Sequence, residues 1–188
     1  TRRSPAKKKC GTGSKIINQV SIEKRPKHID LREEIGHWEG DLIIGKGHKS
    51  ALGTIVERKS RYTIIIKLEG KNANEVAKMF SQKLNQLNPI FKKSMTYDNG
   101  IEMARHEIIT KKTGMKIYFA HPYSSWERGT NENTNGLIRR YLPKGTDFNI
   151  IDKKRIAEIQ EKLNNRPRKI IGFKTPKEIM ESELNFVA

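Results

Sequence analysis

The apolar positions of this chain fall into two spacings. Asp41 to Ile44, Ala51 to Glu57 and Arg61 to Leu68 are short runs rich in β-branched residues, with Ile64, Ile65 and Ile66 at the centre of the third. Runs of this length and composition read as strands. Gly45-Lys46-Gly47-His48 and Arg58-Lys59-Ser60-Arg61 supply polar, turn-compatible connections between them, so the three predict an antiparallel meander. From Asn74 to Leu87 the spacing becomes helical: Val76, Ala77, Phe80, Leu84 and Leu87 recur on one side, predicting an amphipathic helix packed on the sheet. A strand from about Ser94 to Asp98, a helix from about Met103 to Thr113 and a strand Lys116 to Ala120 follow. Alternation of strand and helix predicts parallel pairing in this half.

Past Pro122 the segment Tyr123 to Thr130 reads as a loop, and Asn131 to Leu142 as a helix that stops before Pro143. In that helix Glu132, Asn135, Gly136 and Arg139 share one face at offsets of three, four and seven residues, while Ile138, Tyr141 and Leu142 face a core. Ile151 to Asn164 is a further helix with an Ile156, Ile159 and Leu163 stripe, and Thr175-Pro176 caps a short final one. No internal repeat is visible.

Composition changes this picture by naming a partner. The 38 Lys+Arg against 21 Asp+Glu leave a formal charge of +17 over 188 residues. Such a balance points to nucleic acid, bound through phosphate contacts that weaken as salt rises. An anionic membrane is set aside, because no apolar run approaches about 20 residues and no helix is strongly basic and amphipathic. The length suits one domain with one sizeable core. Residues 1 to 27 hold nine basic side chains against Glu23 alone and read as an N-terminal basic arm, a DNA contact or equally a solvated tail, extended or disordered when free; residues 28 to 188 hold the patterned elements. Cys10 is the single cysteine, and His28, His37, His48, His106 and His121 are scattered without a Cys-x-x-Cys, which disfavours a disulfide or a zinc finger. A reducing cytoplasm is the expected compartment. No signal or transit segment is visible, and a chain beginning at Thr1 fits a fragment as well as a processed protein.

Three carboxylates stand out against the pattern. Asp41 interrupts the run His37-Trp38-Glu39-Gly40-Asp41-Leu42-Ile43-Ile44, Asp98 ends the strand Thr96-Tyr97-Asp98, and Glu132 lies at the start of the helix after Gly129. An unpaired buried carboxylate is costly without a cation. Together the three would form an all-oxygen set suited to a divalent metal and to phosphodiester chemistry. Each has a plainer reading. Asp98-Asn99-Gly100 could be a hairpin turn, although Ile101 to Thr113 looks helical rather than like a return strand; Asp41 could be a satisfied buried acid; Glu132 could be a helix-start glutamate favoured by the dipole. One site using all three contexts explains them jointly. Gly40, Gly45 and Lys46 imitate a phosphate-binding loop, but Gly47 stands where Ser or Thr should bind magnesium, so nucleotide triphosphate hydrolysis is rejected. Lys46, Lys49 and Arg58 read as a DNA-facing surface, with solvated charge as the alternative. Trp38 is expected in the core, whereas core packing and base stacking are equally open to Trp126.

The motifs Gly36-His37-Trp38-Glu39-Gly40-Asp41, Thr96-Tyr97-Asp98-Asn99-Gly100-Ile101-Glu102, Pro122 to Arg139 and Asn165-Arg166-Pro167-Arg168 resemble the catalytic half of bacterial DDE transposases of the insertion-sequence-thirty family. The resemblance runs from about Val20 to Glu181, and the 33 residues between Asp98 and Glu132 match that family's spacing. Met103 stands where the family commonly has an aromatic, a volume-tolerant change. The 188 residues do not include the helix-turn-helix region that the family carries ahead of its catalytic domain.

The resemblance implies an α/β, ribonuclease H-like fold of the retroviral-integrase superfamily, a five-stranded mixed sheet flanked by helices. It implies Asp41, Asp98 and Glu132 as catalytic residues and metal ligands, with two Mg²⁺ ions per site and Mn²⁺ as substitute. It further implies 3′-end cleavage and strand transfer on transposon ends and target DNA, a homo-oligomer on DNA, and a bacterial cytoplasmic, nucleoid-associated location. Arg128, Asn131, Asn135 and Arg139 are expected to position phosphates. Two alternatives stand beside this reading: a metal-dependent nuclease of the same fold, and a non-catalytic DNA-binding module with structural acids.

Overall fold

Why the acids end where they do follows from strand alternation within a single sheet. The computed structural model describes residues 16–70, 72–122 and 124–186. Its strands are β1 (His37–Ile44), β2 (Ala51–Glu57), β3 (Thr63–Leu68), β4 (Ser94–Tyr97) and β5 (Lys116–Phe119), in the spatial order β3-β2-β1-β4-β5. β1, β2 and β3 pair antiparallel, as expected of the meander. β1, β4 and β5 pair parallel, joined by the crossover helices α1 (Ala73–Asn85) and α2 (His106–Thr113). α3 (Gly129–Tyr141), α4 (Lys153–Asn164) and α5 (Pro176–Asn185) complete the order. This is the five-stranded mixed sheet with flanking helices expected from the motifs.

Boundaries moved where local chemistry outweighed periodicity. β1 begins four residues before its apolar run, because Trp38, Glu39 and Gly40 pair with Glu57, Val56 and Ile55 whatever their polarity. α2 starts later than expected, after a separate 3₁₀ turn at Ile101–Met103, and closes at Gly114 in the left-handed region, where glycine is the favoured residue. α5 opens on the expected cap: the Thr175 side chain accepts from Glu178 N while the Glu178 carboxylate accepts from Thr175 N.

The two sheet faces divide the hydrophobic residues. Trp38, Leu42, Ile55, Ile66 and Tyr97 point toward α1 and α2, where Phe80 and Leu84 are fully buried. Each such side chain contributes about 1.5–3 kcal/mol on burial. Close packing here needs two glycines: a Cβ on Gly53 would lie 2.3 Å from the Phe80 ring, and one on Gly40 would lie 2.2 Å from the Tyr97 ring. Ile43, Leu52 and Ile65 point the other way, against Ile138 of α3, Leu142 just after it, and Ile156, Ile159 and Leu163 of α4. The free edge of β3 is covered by α4 side chains: Asn164 Nδ2 donates to Thr63 O at 2.8 Å, and Gln160 Oε1 accepts from Ile65 N at 2.8 Å.

The first 15 residues of the expected basic arm, Cys10 among them, lie outside the described residues. Its remainder is packed on the fold rather than extended. Ile16 and Ile22 are buried, Phe119 N donates to Val20 O at 2.9 Å, and the buried Arg25 donates to Thr96 Oγ1 at 2.9 Å while pairing with Asp30. Among the described residues no helix is long and apolar enough to cross a membrane.

Candidate active site

Parallel pairing of β1 with β4 aligns His37 with Ser94, Trp38 with Met95 and Glu39 with Thr96. Carried on by two residues, that register sets Asp98 opposite Asp41, so two acids distant in sequence become neighbours at the carboxyl end of β4. Open α/β sheets place ligand-binding groups at such strand ends. Both carboxylates flank a single cation. Arg128 Nη1 lies 3.6 Å from Asp41 Oδ1 and its Nη2 lies 3.2 Å from Asp98 Oδ2, while Nη1 also donates to Gly40 O at 3.3 Å.

Each carboxylate is oriented by the groups around it. Asp41 accepts from Leu42 N at 2.8 Å through Oδ1 and from Asn135 Nδ2 at 2.8 Å through Oδ2. Asp98 accepts from Gly100 N at 3.0 Å, an Asx turn that replaces the hairpin alternative. Burial pushes the Asp41 carboxyl up to about 6, with the Arg128 guanidinium pulling it down and the Asp98 charge raising it. A carboxylate so poorly solvated gains more than an exposed one from a neighbouring cation.

α3 is held over this site by polar contacts. Asn131 is fully buried: its backbone N donates to Glu39 Oε2 at 2.9 Å and its Nδ2 to Glu39 O at 2.9 Å. The Thr54 hydroxyl, opposite Asp41 in the β1–β2 register, lies 3.0 Å from the amide oxygens of both Asn131 and Asn135. Glu39 is fully buried too and pairs with Arg58 at 2.7 Å; Arg58 reaches on to Asp30 at 3.3 Å. Arg139 Nη2 donates to Ile44 O at 2.7 Å, fixing the next turn of α3 to the end of β1.

Several expected contacts must therefore be corrected. Arg58 and Asn131 are 3% and 0% exposed, so neither presents itself to a DNA backbone; the two Arg58 Nη atoms are committed to Glu39 and Asp30, and the Asn131 amide to Glu39 and Thr54. Arg128 is 7% exposed and is engaged by the acids rather than turned to solvent. Asn135 and Arg139 are half-buried and bonded to β1. Lys46 and Lys49 are exposed on the β1–β2 connection. Trp38 is in the core, its Nε1 donating to Phe91 O at 2.6 Å, while Trp126 is 73% exposed. Glu39 and Thr54 were not singled out from the sequence. Their signal was parity: Glu39 and Asp41 lie on the β1 face that also carries Ile43, and Thr54 on the β2 face that carries Leu52.

Glu132 stands apart from the other two acids. It is exposed in the first turn of α3 and forms no hydrogen bond or ion pair among the described residues. The cluster of three His, Cys, Asp or Glu ligand atoms within 4.8 Å of one another, among the described residues, is His28, Glu34 and His37 rather than the three acids. Glu132 does sit three residues before Asn135, whose amide holds Asp41, so adjacent turns of one helix bring its side chain to the same side. Asp41 and Asp98 already hold a cation between them through oxygen atoms, which fits a hard divalent ion. A cleft of about 360 Å³ opens beside Asp98, bounded by Gly100, His121, Ser124 and Arg128.

A mixed sheet of this order, with one carboxylate on β1 and another just past the end of β4 about one cation, defines a ribonuclease H-like core. The chain belongs to the integrase core domain family, whose pattern matches residues 32–125. It is 48% identical over 180 residues to the transposase InsI for insertion sequence element IS30A of Escherichia coli (strain K12), covering 96% of this chain and 46% of that protein. It is 47% identical over 178 residues to the transposase for insertion sequence element IS4351 of Bacteroides fragilis, covering 95% of this chain and 54% of that protein. These relatives bear out the insertion-sequence-thirty resemblance of the motifs. The chain spans about half the length of the relatives it matches. Among solved structures, the catalytic core domain of BIV integrase superposes with a TM-score of 0.62 at 21% identity, covering 81% of this chain and 99% of that one, which shows the shared fold.

Proposed function

We propose that this chain is the catalytic core of a DDE transposase, cutting DNA at the 3′ ends of an insertion sequence and joining those ends to target DNA. The observation that carries the reading is the pair Asp41 and Asp98, set side by side by the β1–β4 register and flanking one guanidinium. Asp41, Asp98 and Glu132 would hold the metal, Mg²⁺ or in its place Mn²⁺, two ions to a site. When bound, the ions supply activation of the attacking oxygen and charge stabilisation of the leaving oxygen in an in-line displacement.

The chain's own residues prepare that chemistry. Asn135 and Leu42 N fix the two oxygens of Asp41, and Gly100 N fixes Asp98, so neither carboxylate must reorganise. The Asn131 and Thr54 contacts seat α3, and with it Glu132, on the sheet. Arg128 balances the two negative charges. The exposed Lys46 and Lys49 add to the phosphate-facing charge, and Trp126 offers a ring for base stacking. The partner is DNA, bound by a homo-oligomer in the bacterial cytoplasm and on the nucleoid. The catalytic domain is taken to begin before residue 28, at Ile16, a reading supported by the burial of Ile16, Ile22 and Arg25.

Resolution of a branched strand-transfer DNA tests the reading with least demand on end recognition. The chain should resolve it with Mg²⁺ or Mn²⁺, and Asp98→Asn and Glu132→Gln should abolish resolution while keeping salt-sensitive DNA binding. Hydrolysis without joined products would instead support a nuclease. Binding without metal dependence or resolution would support a binding module.

A further inference from the structure

Three side chains at the opposite, amino-terminal end of β1 converge without a role in the site above. His28 belongs to the 3₁₀ turn Lys27–Leu31, Glu34 to the link that follows, and His37 opens β1. His28 Nε2 lies 3.3 Å and His37 Nε2 lies 2.7 Å from the same oxygen, Glu34 Oε2. The imidazoles meet edge to face, with centroids 6.1 Å apart. We propose that His28, Glu34 and His37 form a binding site for a divalent transition-metal ion of the zinc class, which clamps the 27–31 turn to the start of β1.

The donor set, two imidazole nitrogens and one carboxylate oxygen, is that of a zinc centre with one position left open. Tetrahedral bonds of about 2.0–2.2 Å require ligand atoms about 3.3 Å from each other. The His28–Glu34 spacing already meets this, and the His37–Glu34 pair needs to open by about half an ångström. An outer shell is present. His37 Nδ1 lies 2.7 Å from Ser94 Oγ, which fixes the ring and leaves Nε2 facing the carboxylate. Lys93 donates to Glu34 Oε1 at 2.7 Å, so the other oxygen is the one turned to the imidazoles. His28 and Glu34 line a surface cavity of about 610 Å³ that also reaches Glu33 and Glu183.

This site is distinct from the acids. Ser94 and Tyr97 bound β4, so its two ends are separated by about 10 Å at 3.3 Å per residue, with His37 at one and Asp98 beyond the other. Its donors are imidazoles, which select zinc-like ions, whereas the all-oxygen acids select magnesium-like ones.

Calorimetric and thermal-shift titration of the whole chain with Zn²⁺, in excess Mg²⁺, tests the proposal. Wild type and Asp98→Asn should bind one ion with the same affinity and the same rise in Tm. His28→Ala, a change at an exposed position, should keep its circular dichroism and Tm without metal. It should bind Zn²⁺ at least about tenfold more weakly, a loss that even an outer-shell partner of a metal ligand can cause. Lys93→Met, which removes the group that orients Glu34, should also weaken binding, as loss of an outer-shell partner does. Equal affinity in His28→Ala and wild type, or no zinc binding by wild type at micromolar concentration, would overturn it.

Discussion

Two side chains buried to the same degree on opposite faces of this sheet show how one fold serves both stability and chemistry. Phe80, on α1, is fully buried in the hydrophobic cluster, and the sheet makes room for its ring with a glycine at position 53. Asn131, beneath α3, meets Glu39, Thr54 and their backbone. Apolar contact is non-directional and lets a helix slide; a buried amide bonded at several points does not. The dry face stabilises the sheet, and the polar face sets the rotation and register of α3. That setting decides where Glu132 and Asn135 project, and so where Asp41 is held.

The strongest test of this contrast removes one partner from the polar face. Arg58→Met leaves the fully buried Glu39 without its cation and should destabilise the chain by about 3–5 kcal/mol in urea unfolding. The double variant with Glu39→Gln should recover much of that loss, since replacing both partners of a buried pair is often close to neutral. A cost below about 1 kcal/mol for the single change would show that the pair does not brace α3.

On the dry face, Gly40→Ala forces a methyl against the Tyr97 ring and should cost about 1–3 kcal/mol of overpacking. Combination with Tyr97→Leu should relieve it. A neutral single variant would mean that β1 can lift from Tyr97, and the proposed rigidity of the acid-bearing strand would fail with it.

Much of this was legible in the residues. The meander, α1 and the parallel half follow from periods of two and of 3.6, and β2 begins and ends where its apolar run does. The three acids could be picked out because each breaks a local pattern. Hidden were the pairings between polar residues: Glu39 with Arg58, nineteen positions apart, and Arg128 with Asp98, thirty apart. Such pairs have no periodicity, and a basic residue in a basic chain reads as solvent-facing until its burial is seen. The same reason misplaced Arg58 as a DNA contact. Histidines at 28 and 37 were scattered in sequence and adjacent in space, because the 3₁₀ turn at 27–31 folds the chain back on β1.

A smaller effect of opposite sign sharpens the comparison on the outer surface of α3. Gly136 lies inside the helix with nothing within 4 Å of an added Cβ. Gly136→Ala should raise stability by about 0.5–1 kcal/mol, read as a higher urea midpoint. Loss of DNA affinity in the stabilised variant would mark the Glu132–Asn135–Gly136–Arg139 face as one that a phosphate backbone approaches closely. Unchanged affinity would move the DNA path toward Lys46 and Lys49.

The smallest effect concerns the approach to α3. His121 N donates to Glu127 Oε2 at 2.8 Å, and its ring lies 2.8 Å from Glu127 Oε1 and 3.3 Å from Glu23 Oε1. Hydrogen bonds to Glu127 and then Glu23 hold the His121 pKa above its ordinary 6.5. A histidine whose folded pKa is raised lends stability that is complete below the unfolded value and is lost as pH rises through the folded one. The Ser125–Arg128 turn should therefore be best protected below pH 6.5 and loosen above it, with the rest of the sheet unaffected. Amide exchange at Glu127 and Arg128, followed across that range, measures this, and His121→Ala should flatten the profile. Because the pair is exposed, salt should weaken the dependence. Protection that grew with pH would break the link between this turn and His121, and leave Arg128 held in place by Asp41, Asp98 and Gly40 O.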